Sequence, residues 1–196
     1  MTISYFGYGS LVNINTLPAS AHVVPGKMSG WVREWRIWGT TQLGRPVCGL
    51  SVSQKDGSVI RGVMAREPKE RLAELDRREA KYHRVSGVGS SFTCDATGEA
   101  GPKDMFLYRS KPEHYGWGSE DYPILQSYLD CVLQGFHAFW GLSGVDHFLE
   151  TTDGWHVPIL KDRDAPIYPR AQQVPAELLA EFDARLNALG VRFIEL

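Results

Sequence analysis

The sequence predicts an α+β fold in which a small, mainly antiparallel β-barrel carries helices on its periphery. Three observations lead there. Strand-like runs dominate the stretch from Ile3 to Arg109, whereas the two long helical periodicities come late in the chain. The connections between those runs are tight turns rather than helical crossovers, which favours antiparallel pairing. About six such strands have no evident edge protection, a problem that closure of the sheet solves.

The opening run, Ile3 to Gly7, reads as a strand that passes straight into the turn Gly7-Tyr8-Gly9-Ser10. Residues 31–38 place Trp31, Trp35 and Ile37 on one face, with Arg33 breaking the stripe. The Val-rich runs 46–53 and 58–65 flank Gln54-Lys55-Asp56-Gly57, a hairpin signal because Gly supplies the positive φ such a turn needs. From Glu67 to Ala80 the period changes. Pro68 suits a first helical turn, and Leu72 and Leu75 fall three apart among charges, predicting a short amphipathic helix. Strand character returns from Tyr82 to about Thr93 and again over 104–109. Asp121 and Pro123 open the strongest helix, whose apolar face is Leu125, Tyr128, Leu129, Val132, Leu133, Phe136 and Trp140. A last helix follows Pro175, carries Leu178, Leu179, Phe182, Leu186 and Leu189, and stops at Gly190. Between them, 141–174 reads as irregular. The expected organisation is one domain over 1–196, with 141–196 an extension packed on the barrel.

Composition narrows the function. With 43% hydrophobic and 22% charged residues the chain can build an ordinary core without a staple. A net charge of −2 with no basic run argues against nucleic-acid binding. No apolar stretch is long enough for a membrane span, and the N-terminus lacks the pattern of a signal peptide. Cys48, Cys94 and Cys131 are odd in number and far apart, as expected of free thiols in a reducing, cytoplasmic setting.

Two segments carry candidate chemistry. The turn Tyr8-Gly9-Ser10-Leu11 can aim consecutive backbone N–H groups into one concavity and so hold a carboxylate, or it is an ordinary strand-to-helix turn capped by Asn13 or Asn15. Glu79 falls in the last turn of the short helix, where the helix end and any exclusion of water raise a carboxyl pKa toward that of a useful base. The plainer alternative is a solvated Glu beside Arg or Lys. The six histidines, His22, His83, His114, His137, His147 and His156, show no metal-ligand spacing, and neither a GxSxG elbow nor a P-loop occurs. No cysteine has a recognisable catalytic partner. Asp162-Arg163 and Tyr168-Pro169-Arg170 read either as a substrate lid that clamps a carboxylate or as a polar loop of surface ion pairs. Most of the six tryptophans and eight tyrosines belong in the core or a pocket wall, and the rest are available for a partner surface.

Together these segments resemble the γ-glutamylcyclotransferase-like family, which includes the ChaC and AIG2-like groups and γ-glutamylamine cyclotransferases. Tyr5 to Leu11 looks like the ChaC form of the first motif. Leu75 to Arg84 looks like the AIG2-type pattern of Glu followed by Tyr and Arg, although Tyr82 follows Glu79 more closely than in vertebrate-type enzymes. Pro123 to Gly135, with Tyr128, and Ile60-Arg61-Gly62-Val63 also match. The resemblance covers roughly 3–140 and leaves the tail outside it. It implies a β-barrel with peripheral helices and no cofactor or metal. The implied reaction is an intramolecular aminolysis that releases 5-oxoproline and a free amine from a γ-glutamyl amide or a peptide such as glutathione. In that reading Glu79 is the acid/base, Tyr8, Gly9, Ser10, Leu11, Tyr82 and Tyr128 bind substrate, and the partner is a small γ-glutamyl molecule. The alternative is a non-catalytic binding or interaction module of the AIG2-like type. The amine portion of the substrate and the oligomeric state stay open.

Overall fold

The computed structural model describes residues 1–42 and 44–195, so Leu196, the last residue of the expected extension, lies outside it. The architecture is α+β, and among the described residues it is built on one ten-stranded sheet with three α-helices. The first strand, β1 (Thr2–Gly7), is buried from Ile3 onward and has a neighbour on each edge. It runs antiparallel to β3 (Pro46–Pro68), from Thr2 opposite Pro68 to Gly7 opposite Val63, and parallel to β6 (Phe106–Ser110). The longest ladder joins β3 to β2 (His22–Thr40).

The hairpin expected between 46–53 and 58–65 does not form. Both runs lie against β2 in one continuous strand, with Trp31 opposite Gln54 and Ser29 opposite Val59. Lys55 to Ser58 therefore bulge out across from Gly30. Gly57 does take the expected positive φ of 76°, but it serves this bulge rather than a chain reversal.

The helix expected from Glu67 is shorter. The strand runs through Pro68, a 3-10 turn follows, and α1 spans Leu72–Arg78. The strand expected from Tyr82 to Thr93 divides into β4 (Tyr82–Ser86) and β5 (Phe92–Cys94) around Gly87, whose φ is +80°. The helix expected to open at Asp121 and Pro123 starts later: Leu125 belongs to β7 (Ile124–Leu125), and α2 (Gln126–Glu150) follows, with Tyr128, Leu129, Val132, Leu133, Phe136 and Trp140 of the predicted face packed in or against the main core. A kink at Gly141 (φ 60°, ψ −156°) divides α2 into two helical segments, so 142–150 is helical rather than irregular, and Val145, Phe148 and Leu149 join the core. Beyond it lie β8 (Thr152–Asp153), β9 (Ile159–Leu160), α3 (Ala176–Leu189) and β10 (Phe193–Ile194). On α3, Phe182 and Leu186 are buried, whereas Leu189 faces solvent.

The long ladders are antiparallel, and the parallel pairings are only one or two residues long. The sheet order is β10-β9-β7-β3-β1-β6-β4, with β2 branching from β3 and β5 and β8 pairing with β2, and among the described residues its ends do not meet. The expected closed barrel is thus an open sheet. Its edges are protected by other means: β10 has two residues, and β4 is short with the exposed His83 and Arg84.

Arg33, which interrupts the apolar stripe of β2, is fully buried. It donates to the Arg61 carbonyl at 2.7 Å and to the Thr151 and Thr152 hydroxyls at 2.5 and 3.0 Å, with the rings of Phe136 and Phe148 over its guanidinium. Burial lowers its pKa to about 9, so it stays charged at neutral pH and ties the end of α2 to the sheet. No helix of the described residues is long and apolar enough to cross a membrane.

Candidate active site

The end of β1, the end of α1 and the start of α2 converge on a cavity of about 340 Å³. Each element reaches it for a local reason. Past Gly7 the chain turns through Tyr8 and Gly9 into a 3-10 turn, Ser10–Val12. The first N–H groups of such a turn, those of Ser10 and Leu11, have no partner within it. Asn13 then fixes the turn, because its side chain accepts from the Asn15 amide and donates to the Cys131 carbonyl and the Gln134 side chain. Gly135 permits that contact: a Cβ there would stand 2.7 Å from the Asn13 nitrogen. Gly9 plays a similar part inside the cavity, since a Cβ on it would stand 3.0 Å from the Tyr128 hydroxyl oxygen.

On α1, Leu75 is buried in the smaller apolar cluster with Tyr5, Phe106 and Tyr108. Residues three and four positions later share its face, so Arg78 and Glu79 are delivered to the same cavity. Their side chains are 13% and 14% exposed, and the Arg78 Nε lies 3.2 Å from a Glu79 carboxylate oxygen. The same guanidinium reaches the Ser10 hydroxyl at 3.3 Å and donates to the Thr16 carbonyl at 2.7 Å. One cation therefore bridges the carboxylate and the turn.

Glu79, Tyr8, Gly9, Ser10, Leu11, Tyr82 and Tyr128 all line this one cavity. The hydroxyl of Tyr8 donates to the Tyr108 carbonyl at 2.6 Å and that of Tyr82 to the Leu50 carbonyl at 2.8 Å, so each offers a ligand only its lone pairs. Tyr128 packs edge-on against Trp35 and Tyr168. Burial, with contributions from the nearby Glu79 charge, pushes the pKa values of Tyr8, Tyr82 and Tyr128 well above the ordinary tyrosine value. Burial also raises the Glu79 pKa, against the opposing pull of Arg78 and Arg170. The arrangement thus pairs a carboxyl of raised proton affinity with backbone donors and neutral phenols.

Other candidates fall elsewhere. None of the histidines lines this cavity, and the half-buried His137 stands on α2 outside it. Among the described residues no three His, Cys, Asp or Glu side chains come together as metal ligands. Cys48 does border the cavity, but burial pushes its thiol up to about 12, which keeps it protonated at neutral pH.

The 162–170 segment has two different parts. Asp162 is buried at the start of α2, where it accepts from the Ser127 amide and hydroxyl and from the Ile167 amide. Arg163 is occupied by Asp130 and Asp183. Tyr168, Pro169 and Arg170, held in place by this brace, line the cavity. Arg78 is the residue that motif reading passed over, and the helical spacing from Leu75 was the signal for it.

No family model matches the chain, and no curated protein matches it in sequence. Solved structures do match it in shape. A γ-glutamyl cyclotransferase aligns with a TM-score of 0.59 at 15% identity, over 94% of this chain and 99% of its own. An uncharacterized protein from Homo sapiens aligns with a TM-score of 0.58 at 16% identity, over 93% of this chain and 98% of its own. YkqA from Bacillus subtilis aligns with a TM-score of 0.55 at 16% identity, over 78% of this chain and 56% of its own. The chain has the γ-glutamyl cyclotransferase-like fold.

Proposed function

We propose that the protein is a γ-glutamyl cyclotransferase, acting on a γ-glutamyl amide or peptide with Glu79 as acid and base. The observation that carries this reading is that Glu79 and the 8–11 turn wall one cavity and share the Arg78 guanidinium. The substrate brings its own nucleophile, so a site for this reaction needs little beyond orientation and a proton carrier. In the proposed sequence, the Glu79 carboxylate takes a proton from the substrate α-ammonium. The freed amine nitrogen attacks the γ-carbonyl carbon, forming the ring C–N bond and placing negative charge on the carbonyl oxygen. The N–H groups of Ser10 and Leu11 hold either that oxygen or the substrate α-carboxylate. Glu79 then returns its proton to the departing nitrogen as the original amide C–N bond breaks, and the ring nitrogen gives up its second proton through the regenerated carboxylate to the released amine, which leaves as its ammonium. The products are 5-oxoproline and a free amine, and no water is consumed.

In this reading the phenols of Tyr8, Tyr82 and Tyr128 exclude water and orient the chain of the substrate, with Tyr128 assigned the hydrogen bond near the leaving group. In this account residues 1–196 act as one unit, the tail after 141 supplying Tyr168 and Arg170 to the wall. The test is to incubate the protein with γ-glutamyl amides, γ-glutamyl dipeptides and glutathione and to follow 5-oxoproline by mass spectrometry. Release of 5-oxoproline from at least one class is the expected result. Saturable binding without any product would favour the non-catalytic alternative.

A further inference from the structure

The wall of the candidate active site is unbalanced in charge. It carries one carboxylate, Glu79, and three cations, Arg78, Lys81 and Arg170. Arg78 is occupied by Glu79, Ser10 and Thr16. The other two have no carboxylate within ion-pair reach among the described residues. Lys81 Nζ donates to the Thr40 hydroxyl at 2.9 Å, and half-burial lowers its pKa, which marks an ammonium short of solvation. Arg170 also borders a second, more polar cavity, but the carboxylates there, Glu67 and Glu74, belong to Arg71.

These two cations sit at a definite depth. Tyr8, Cys48, Leu50 and Leu125 form a buried floor, whereas Thr40, Gln42 and Arg170 are exposed and form the rim together with Lys81. With the γ-glutamyl group held by Glu79 and the 8–11 turn, the amine portion of the substrate extends to that rim. The γ-glutamyl group is itself a zwitterion, so it leaves the two rim charges uncompensated.

We propose that the rim selects γ-glutamyl substrates whose amine portion is a dicarboxylate, an acidic amino acid joined through its nitrogen, with Lys81 and Arg170 each receiving one carboxylate. This rests on the cyclotransferase reading of the same cavity and narrows its substrate class. A one-carboxylate amine portion satisfies one cation and a neutral amine satisfies neither, so the preference is graded.

The experiment compares kcat/KM for γ-glutamyl-glutamate, γ-glutamyl-alanine and γ-glutamyl methylamide at low and high salt. It uses the wild-type chain, Lys81→Met and Arg170→Gln, with folding checked by thermal unfolding. Each added carboxylate should raise kcat/KM about tenfold, as a charge-assisted contact does. Each variant should erase about one such step, and salt should compress the whole series. Equal kcat/KM on the three substrates, or an order untouched by both variants, would overturn this inference while leaving cyclisation intact. Absence of 5-oxoproline from all three in the wild type would overturn the cyclotransferase reading and the inference with it.

Discussion

A carboxyl group that must accept a proton from an ammonium and return it to a departing amine works best with its pKa lifted toward the working pH. Burial lifts that of Glu79, and Arg78 and Arg170 limit the rise. The sign of the pH effect follows. Below its pKa, Glu79 is protonated and accepts nothing, so kcat/KM should climb with pH through an acid limb centred above the ordinary value of 4.5. Arg78→Met removes the nearest stabilising cation, so the limb should move to higher pH. A pH profile of both forms measures this, and a limb that stays put or moves down would remove Arg78 from the tuning of Glu79. Glu79 itself was legible as a candidate because it lies in a motif. Arg78 was harder to see, since Arg77 beside it has the same chemistry and only the three-residue spacing from the buried Leu75 separates them.

At the scale of elements, the site depends on how closely the 8–11 turn approaches α2. An Ala at position 9 would bring its Cβ to 3.0 Å from the Tyr128 oxygen and 3.3 Å from Leu50 Cδ1. Gly9→Ala should therefore destabilise by about 1 kcal/mol, as overpacking does. Tyr128→Phe in that background should recover part of the loss, since the crowded oxygen is gone. Thermal unfolding of the two single variants and the double variant measures that coupling, and strict additivity would contradict the proposed contact. Periodicity found β1, α3 and the face of α2 because each buries a stripe of its own side chains. It misread 54–57 because a positive-φ glycine serves a hairpin tip and a bulge equally well, and only the length of β2 decides between them. It ended the helix before Gly141, where a kink does break it, but missed the second segment, 142–150, which is too short to show a period of its own.

Over the whole molecule, the tail is joined to the body by polar anchors as well as by sheet pairing and by Phe182 and Leu186 in the main core. Arg163 clamps Asp130 of α2 and Asp183 of α3, and the Asp130 side chain is only 5% exposed. Arg163→Met would strand that buried carboxylate and should cost about 2–3 kcal/mol. Denaturant unfolding would show it, and an unchanged midpoint would mean the clamp contributes nothing net. The segment from 162 to 170 was visible as a cluster of charges and aromatics. Its division into the brace, Asp162 and Arg163, and the wall, Tyr168 to Arg170, was not visible, because it depends on partners more than 30 residues away. The open sheet was likewise out of reach, since edge protection by a two-residue strand leaves no periodic trace.

The most direct test of the central claim is the rate of 5-oxoproline formation by Glu79→Gln beside the wild type, on whichever γ-glutamyl substrate the wild type turns over. Gln keeps the shape and can still hydrogen-bond but carries no proton back and forth. Glu79→Gln should lose about 10²-fold or more in rate with substrate binding retained. A variant that cyclises its substrate at the wild-type rate would contradict it.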